Sequence, residues 1–88
     1  MAVSARFAYF YLMGTDEHGV REAVPGHIAH WRGLDLEDYT GGPFEDRTGG
    51  LITFRVGGGR QADLAVAEDP FVRLGLLESY WLKRWEPE

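Results

Sequence analysis

The strongest constraint on the fold is a short run of apolar and aromatic residues near the start of the chain, residues 7–13. This run is far shorter than the roughly 18 apolar residues that identify a membrane-spanning helix, so we interpret it as a β-strand. A strand with one face in water would alternate polar and apolar residues, whereas this run is apolar throughout. The pattern therefore predicts a central strand that is covered on both faces.

Glycine-rich breaks divide the rest of the chain into short elements, and their order predicts the fold. Apolar residues at helical spacing predict a helix with Pro25 in its first turn and an end near Asp38. The residues that define its buried stripe are Val24, Ile28, Trp31 and Leu34. The remaining segments predict strands at residues 39–44, 51–56 and 76–85, a helix at residues 61–68 and one further helical turn at residues 71–74.

The order β-α-β-β-α-β is typical of the ferredoxin-like α+β fold, in which both helices lie on one face of a four-stranded antiparallel sheet. A length of 88 residues is enough for one domain, which we expect to span residues 1–88. The predicted sheet leaves one face without helices, and this small chain is rich in apolar and aromatic residues. We therefore expect a homodimer in which two copies pack through this sheet face.

Charge and cysteine content exclude several classes of function. Fourteen acidic residues outnumber nine basic residues, and the basic residues are scattered along the chain. Because nucleic-acid binding needs a concentrated basic face, we expect no nucleic-acid partner, and an acidic membrane surface would repel the chain. Without cysteine there are no disulfides, thiol nucleophiles or thiolate metal sites. The composition and the absence of a signal-peptide pattern at residues 1–6 predict a cytoplasmic protein.

Two residues are candidates for acid–base chemistry. His27 lies close to the predicted apolar stripe, where it would face the sheet, and Asp69 precedes Pro70 at the end of the second predicted helix. A carboxylate can hold an imidazole in one tautomer and support its positive charge. The simpler alternatives are a core histidine and an N-cap aspartate.

Two other groups of residues are candidates for a binding site. His27 and His30 are spaced to share a metal, but no third ligand stands at a recognisable spacing, so we expect no metal and no cofactor. His30 is expected in solvent, and His18 lies in a predicted loop. Gly42, Pro43 and Phe44 either form an edge-strand bend or line a pocket, where glycine allows a ligand close to the backbone.

Several short segments occur in the order and spacing of one known family. They are the aromatic first strand, the sequence PGHIAHW at residues 25–31, GPF at residues 42–44, GGLI at residues 49–52, and EDPFV at residues 68–72 followed by Gly75 and Leu76. Over nearly its whole length the chain resembles the YciI-like (YCII-related) family. The resemblance implies a ferredoxin-like fold that dimerises through the sheet as a dimeric α/β barrel, with His27 and Asp69 as the catalytic pair. The family often has an arginine three residues before the histidine, where this chain has Val24.

The predicted function is general acid–base catalysis by His27 on a small cyclic or aromatic molecule, of the elimination, isomerisation or lyase type. Gly42, Pro43 and Phe44 would line the pocket. One activity known in the family is dehydrochlorination of a chlorinated hydroxyhydroquinone, which the resemblance brings into consideration. Two alternatives stay open: a non-catalytic module that binds a small molecule or stabilises a dimer, and a haem-binding protein similar to dimeric α/β-barrel monooxygenases.

Overall fold

The computed structural model describes residues 4–88. The segment 1–6, in which the sequence shows no signal-peptide pattern, therefore lies partly outside the described residues. It contains four strands, β1 (Ala5–Met13), β2 (Glu37–Pro43), β3 (Gly49–Val56) and β4 (Leu77–Arg84). The helices are α1 (Glu17–Gly33), α2 (Gly59–Ala67) and the short α3 (Pro70–Arg73). The strands form one antiparallel sheet in the order β2-β3-β1-β4, which confirms the predicted ferredoxin-like α+β fold.

Strand β1 lies in the middle of the sheet, as predicted, and its alternate residues form the centre of the core. Phe7, Tyr9 and Tyr11 are buried beneath the helices, and Tyr9 has no exposed surface. Neighbouring residues point to opposite faces of a strand, and Phe10, on the other face, is 38% exposed. The expected cover on the second face is therefore not supplied by the chain itself.

Helix α1 begins about two turns earlier than the sequence analysis predicted, and Pro25 lies inside it rather than in its first turn. The side chain of Asp16 caps the helix by accepting a hydrogen bond from the Gly19 amide at 2.9 Å. The predicted end near Asp38 is also wrong, because the helix stops at Gly33. Asp35 and Asp38 have positive φ angles of 50° and 52°, which are incompatible with a continuing right-handed helix.

The buried face of α1 differs from the predicted stripe. Ala23, His27 and Trp31, spaced four residues apart, face the core, whereas Ile28 is 43% exposed. Trp31 is 1% exposed and is the largest fully buried side chain. Its burial fixes the rotation of the helix about its axis. His27 consequently lies at the centre of the buried face rather than beside it.

The uncovered face of the sheet carries an apolar patch that crosses three strands. Phe10 in β1 pairs with Leu51 in β3 and with Trp81 in β4, so the three side chains point to the same side. They are 38%, 39% and 45% exposed. We call Phe10, Leu51 and Trp81 the open-face patch. Within residues 4–88, no helix is long and apolar enough to cross a membrane.

Candidate functional site

The structure brings His27 and Asp69 together, although they are far apart in the sequence. His27 projects from the buried face of α1, and Asp69 immediately precedes α3. The Nδ1 atom of the imidazole lies 2.9 Å from Oδ1 and 3.0 Å from Oδ2 of the carboxylate. Since both residues are buried, this contact is shielded from water, which strengthens its electrostatic part.

The Asp69 carboxylate is surrounded by hydrogen-bond donors. The hydroxyl of Tyr9 donates to Oδ2 at 3.1 Å, and the indole Nε1 of Trp31 donates to the same oxygen at 3.0 Å. The Phe71 amide donates to Oδ1 at 2.9 Å. Burial alone would raise the pKa of Asp69, but the hydrogen bond and charge of His27, with the bonds from Trp31 and Phe71, hold it below its usual range. Asp69 is therefore a buried anion at neutral pH.

Asp69 also caps a helix, so the simpler alternative from the sequence describes a real contact as well. Its backbone is extended, its side chain accepts from the Phe71 amide, and Pro70 occupies the first turn of α3. One carboxylate thus caps α3 and holds the imidazole, because its two oxygens can accept several hydrogen bonds. The short helix α3 fixes the position of the carboxylate relative to α1.

The ring of His27 is held in one orientation. It stacks on Phe71 with the ring centroids 4.1 Å apart and the planes 13° from parallel. An ionised carboxylate only accepts hydrogen bonds, so Nδ1 must carry the proton that it shares with Asp69. In a neutral imidazole this leaves the lone pair on Nε2. Nε2 is consequently the ring atom that can take up a proton.

His27 borders a cavity of about 470 Å³ between α1 and the strands β1, β2 and β3. The volume is suited to a small organic molecule. The apolar side chains in its lining are Met13, Val20, Val24, Ile28, Pro43, Ile52 and Phe71. The wall formed by β2 and β3 includes glycines, and because these have no side chain, the main chain of the two strands borders the cavity directly.

The predicted pocket residues separate in the structure. Gly42 and Pro43 line the cavity beside His27, but Phe44 does not. The ring of Phe44 packs against Phe10, with centroids 5.3 Å apart, at the uncovered face of the sheet. Pro43 is the last residue of β2, and Phe44 follows it, where its amide donates to the Gly49 carbonyl at 2.8 Å while its ring contacts Phe10 instead of the cavity. The expectation that Phe44 lines this pocket is therefore corrected.

Tyr11 is a site residue that the sequence analysis did not identify. It lines the cavity, and its ring lies edge-on to His27 with the centroids 5.6 Å apart. Burial, followed by the negative charge of Asp69, raises the pKa of Tyr11 to about 12. Its hydroxyl therefore stays protonated at neutral pH and remains a hydrogen-bond donor. The alternation of aromatic residues along β1 was the signal that could have indicated it.

The other two histidines lie outside this site. The expectation that His30 is solvated is wrong, because it is partly buried and its Nε2 donates to the Ala65 carbonyl at 2.7 Å, joining α1 to α2. His18 is exposed and lies 3.1 Å from Glu22 on the same helix. Among residues 4–88, no three histidine or acidic side chains are grouped as metal ligands.

Comparison with known proteins identifies a structural relative. No protein-family profile matches the chain, and no curated protein matches it in sequence. Among solved structures, it is similar to 5-chloro-2-hydroxyhydroquinone dehydrochlorinase from Burkholderia phenoliruptrix, in complex with 2,5-dihydroxybenzoquinone. The TM-score is 0.79 and the sequence identity 22%, over 92% of this chain and 93% of that chain. At this identity the similarity establishes the shared ferredoxin-like fold.

Proposed function

We propose that this protein is a small enzyme of the YciI-like family in which His27 acts as a general acid–base catalyst. The observation that carries the proposal is the buried contact of 2.9 Å between His27 Nδ1 and Asp69, with the same imidazole at the wall of a cavity. A base held in one tautomer by a buried carboxylate is a common arrangement for proton transfer. The fold alone would not support this function, since one fold serves many functions.

The chemistry follows from the positions of three side chains. His27 Nε2 removes a proton from a carbon next to a carbonyl group, and the electron pair of that C–H bond moves to form an enolate. The Tyr11 hydroxyl donates a hydrogen bond to the enolate oxygen, and Asp69 stabilises the imidazolium. In an isomerisation, the imidazolium returns the proton to another carbon. In an elimination, the leaving group departs with its electron pair, and the proton passes from Nε2 to solvent.

The proposed substrate class is a small cyclic or aromatic molecule. The cavity is lined mainly by apolar side chains, and Phe71 and Tyr11 present aromatic surface beside His27. The structurally similar protein is named for dehydrochlorination of a hydroxyhydroquinone and was solved with a dihydroxybenzoquinone, both six-membered rings. This supports, for our chain, a ring substrate from which a proton is removed.

Proton abstraction can be tested without knowing the complete reaction. The protein would be incubated in D₂O with cyclic ketones, cyclic diketones and 2,5-dihydroxybenzoquinone, and exchange of carbon-bound hydrogen for deuterium followed by NMR. We expect the wild type to accelerate exchange for at least one compound. His27→Gln should lose about 100-fold or more of this rate, as is typical when a general base is removed. Tyr11→Phe should lose about tenfold, because it removes one donor to the enolate.

The matched control is His30→Gln, which removes a histidine of the same helix whose ring hydrogen-bonds to Ala65. This variant should retain the exchange rate of the wild type. If the compounds bind but exchange no faster than in buffer, the protein is a binding module and the catalytic proposal fails. The visible absorption spectrum of the purified protein tests the haem-binding alternative directly.

We also propose that two copies of the chain pack through the uncovered face of the sheet. The open-face patch of Phe10, Leu51 and Trp81 is an apolar surface of a kind that soluble proteins usually cover. A two-fold axis at its centre would place the same patch of both copies in contact. The single domain 1–88 and the cytoplasmic location stay predictions from the sequence.

A further inference from the structure

The cavity beside His27 contains two arginines from separate parts of the chain. Arg32 lies in the last turn of α1, and Arg47 lies in the loop between β2 and β3. The family position three residues before the histidine is Val24, which is also in the lining but carries no charge. The positive charge at this cavity therefore comes from positions that the resemblance did not indicate.

The charge of the cavity lining is opposite to that of the whole chain. The formal net charge is −5, with fourteen acidic residues against nine basic residues. Yet within residues 4–88 no aspartate or glutamate lines the cavity, whereas two of the arginines do. Among residues 4–88, the arginines that form ion pairs are Arg6 and Arg55, both with Asp38, and not Arg32 or Arg47. The charges of the two cavity arginines are thus available to a ligand.

The backbone of Arg47 gives an independent indication. Its φ angle is 65°, in the left-handed region that glycine and asparagine adopt more readily than arginine. The turn is fixed by the Arg47 amide, which donates to the Phe44 carbonyl at 3.0 Å, and by two bonds from Thr48 to Asp46. An arginine in such a conformation is unfavourable for the turn itself. A role for its side chain at the cavity would account for it.

Arg32 belongs to the polar part of the same cavity. Its positive charge acts on Tyr39, whose pKa is raised by burial and lowered in part by Arg32. The Tyr39 hydroxyl lies over Gly41, at the cavity wall formed by β2. Arg32, Tyr39 and Arg47 therefore provide charged and neutral hydrogen-bond donors in a lining that is otherwise largely apolar. Guanidinium groups bind carboxylates and other anionic oxygens with good geometry.

We infer that the cavity binds a small ring that carries an anionic oxygen group, with Arg32 and Arg47 holding the anion while the ring lies against Phe71 and His27. The inference rests on the proposed function, because it names the class of molecule that would be presented to His27. It assigns Arg32 and Arg47 to substrate specificity and leaves the proton transfer to His27.

The test compares two probes that have the same shape but differ in charge, 2,5-dihydroxybenzoate and 2,5-dihydroxybenzamide. Affinities would be measured by calorimetry for the wild type, Arg32→Gln and Arg47→Asn. Asparagine is chosen at position 47 because it tolerates a positive φ, so this variant should fold. Arg21→Gln is the matched control, since Arg21 is an exposed arginine of α1 that does not line the cavity.

We expect the wild type to bind the benzoate about tenfold or more tightly than the benzamide, as one charge-assisted contact provides. Each cavity variant should weaken benzoate binding about three- to tenfold and leave benzamide binding unchanged. Arg21→Gln should alter neither. Higher salt should weaken binding of the benzoate alone, because ions screen the charge of exposed arginines.

Equal affinities for the two probes, or no binding of the benzoate at millimolar concentration, would overturn the inference. So would an equal loss for both probes in the arginine variants, which would indicate a structural role. The proposed function has a separate readout. Hydrogen exchange that depends on His27 without a preference for the anion would disprove only the anion site. A preference for the anion without hydrogen exchange would disprove only the catalytic role.

Discussion

At the scale of single residues, the central feature is the buried carboxylate of Asp69, which hydrogen-bond donors surround. Asp69 has no exposed surface and accepts hydrogen bonds from His27, Tyr9, Trp31 and the Phe71 amide. Burying an ion is costly unless charge and hydrogen bonds compensate for the lost water. His27 is the donor in this group that can also become a cation. The His27–Asp69 pair therefore stabilises the fold as well as forming the centre of the candidate site.

Asp69→Asn should destabilise the protein by about 2–4 kcal/mol at neutral pH, because it removes the charge that the surrounding donors stabilise. Asparagine is a good N-cap, so α3 should remain. The folded pKa of Asp69 lies below its ordinary value of 3.8, so its contribution is complete above that pH and is lost as the pH falls through the folded pKa. Urea denaturation should show that wild type and variant converge in strongly acidic buffer.

A stability difference that persists unchanged at the acidic end would mean that the ionised carboxylate is not responsible. The matched control is Asp46→Asn. Asp46 is exposed, and its hydrogen bonds to Thr48 hold its pKa below the usual range. It lies in a surface loop, so this variant should leave the free energy of unfolding nearly unchanged.

At the scale of elements, local sequence signals account for the sheet but not for the details of the site. The apolar run of β1 and the order of the elements predicted the central strand and the ferredoxin-like topology. The rotation of α1 could not be predicted from periodicity, because it depends on where Trp31 packs in the assembled core. Similarly, the roles of Tyr9 and Tyr11 depend on contacts with Asp69 and His27 that are distant in sequence.

The N-cap at Asp16 and the turn at Asp35 determine where α1 begins and ends. The prediction placed both ends incorrectly because it followed the apolar pattern around Pro25 rather than these polar residues. The incorrect prediction that Phe44 lines the pocket also came from a local pattern, the segment at residues 42–44. Its neighbours Gly42 and Pro43 do line the cavity, but the ring of Phe44 packs against Phe10. This contact joins residues that are distant in sequence, so the sequence pattern around Phe44 could not indicate it.

Gly50→Ala should destabilise the protein by about 2 kcal/mol, because a Cβ at this position in β3 would collide with the hydroxyl end of Tyr11. Tyr11 could escape only by leaving its position over the strand, so the hydroxyl that is proposed to bind the enolate oxygen would be displaced too. The control is Gly42→Ala in the neighbouring strand, where a Cβ meets nothing within 4 Å. Thermal unfolding should show a clearly lower melting temperature for Gly50→Ala and an unchanged one for Gly42→Ala. If Gly50→Ala melted at the same temperature as the wild type, the packing described for Tyr11 would be contradicted.

At the scale of the whole molecule, the two faces of the sheet have different roles. One face carries the helices, the His27–Asp69 pair and the cavity, and the other carries the open-face patch. A small chain buries little surface on its own, so an additional apolar interface would contribute substantially to its stability. The arrangement separates the proposed assembly surface from the proposed chemistry.

Light scattering at micromolar concentration should give about twice the mass of one 9.9 kDa chain. Trp81→Glu places a charge in the open-face patch and should weaken the dimer about 100-fold, as is usual for a central aromatic contact. Leu64→Glu, at an exposed apolar position of α2, is the control and should remain dimeric. A monomeric wild type, or a Trp81→Glu protein that stays dimeric, would contradict assembly through this face.

The most direct test of the account is the tautomer of His27, observed by long-range ¹⁵N–¹H NMR of the imidazole. The carboxylate of Asp69 predicts that the neutral ring carries its proton on Nδ1 and leaves Nε2 as the basic atom at the cavity. Asp69→Asn should abolish this preference, because the amide can also donate to Nδ1. A neutral ring protonated on Nε2 in the wild type would contradict the assignment of His27 as the base.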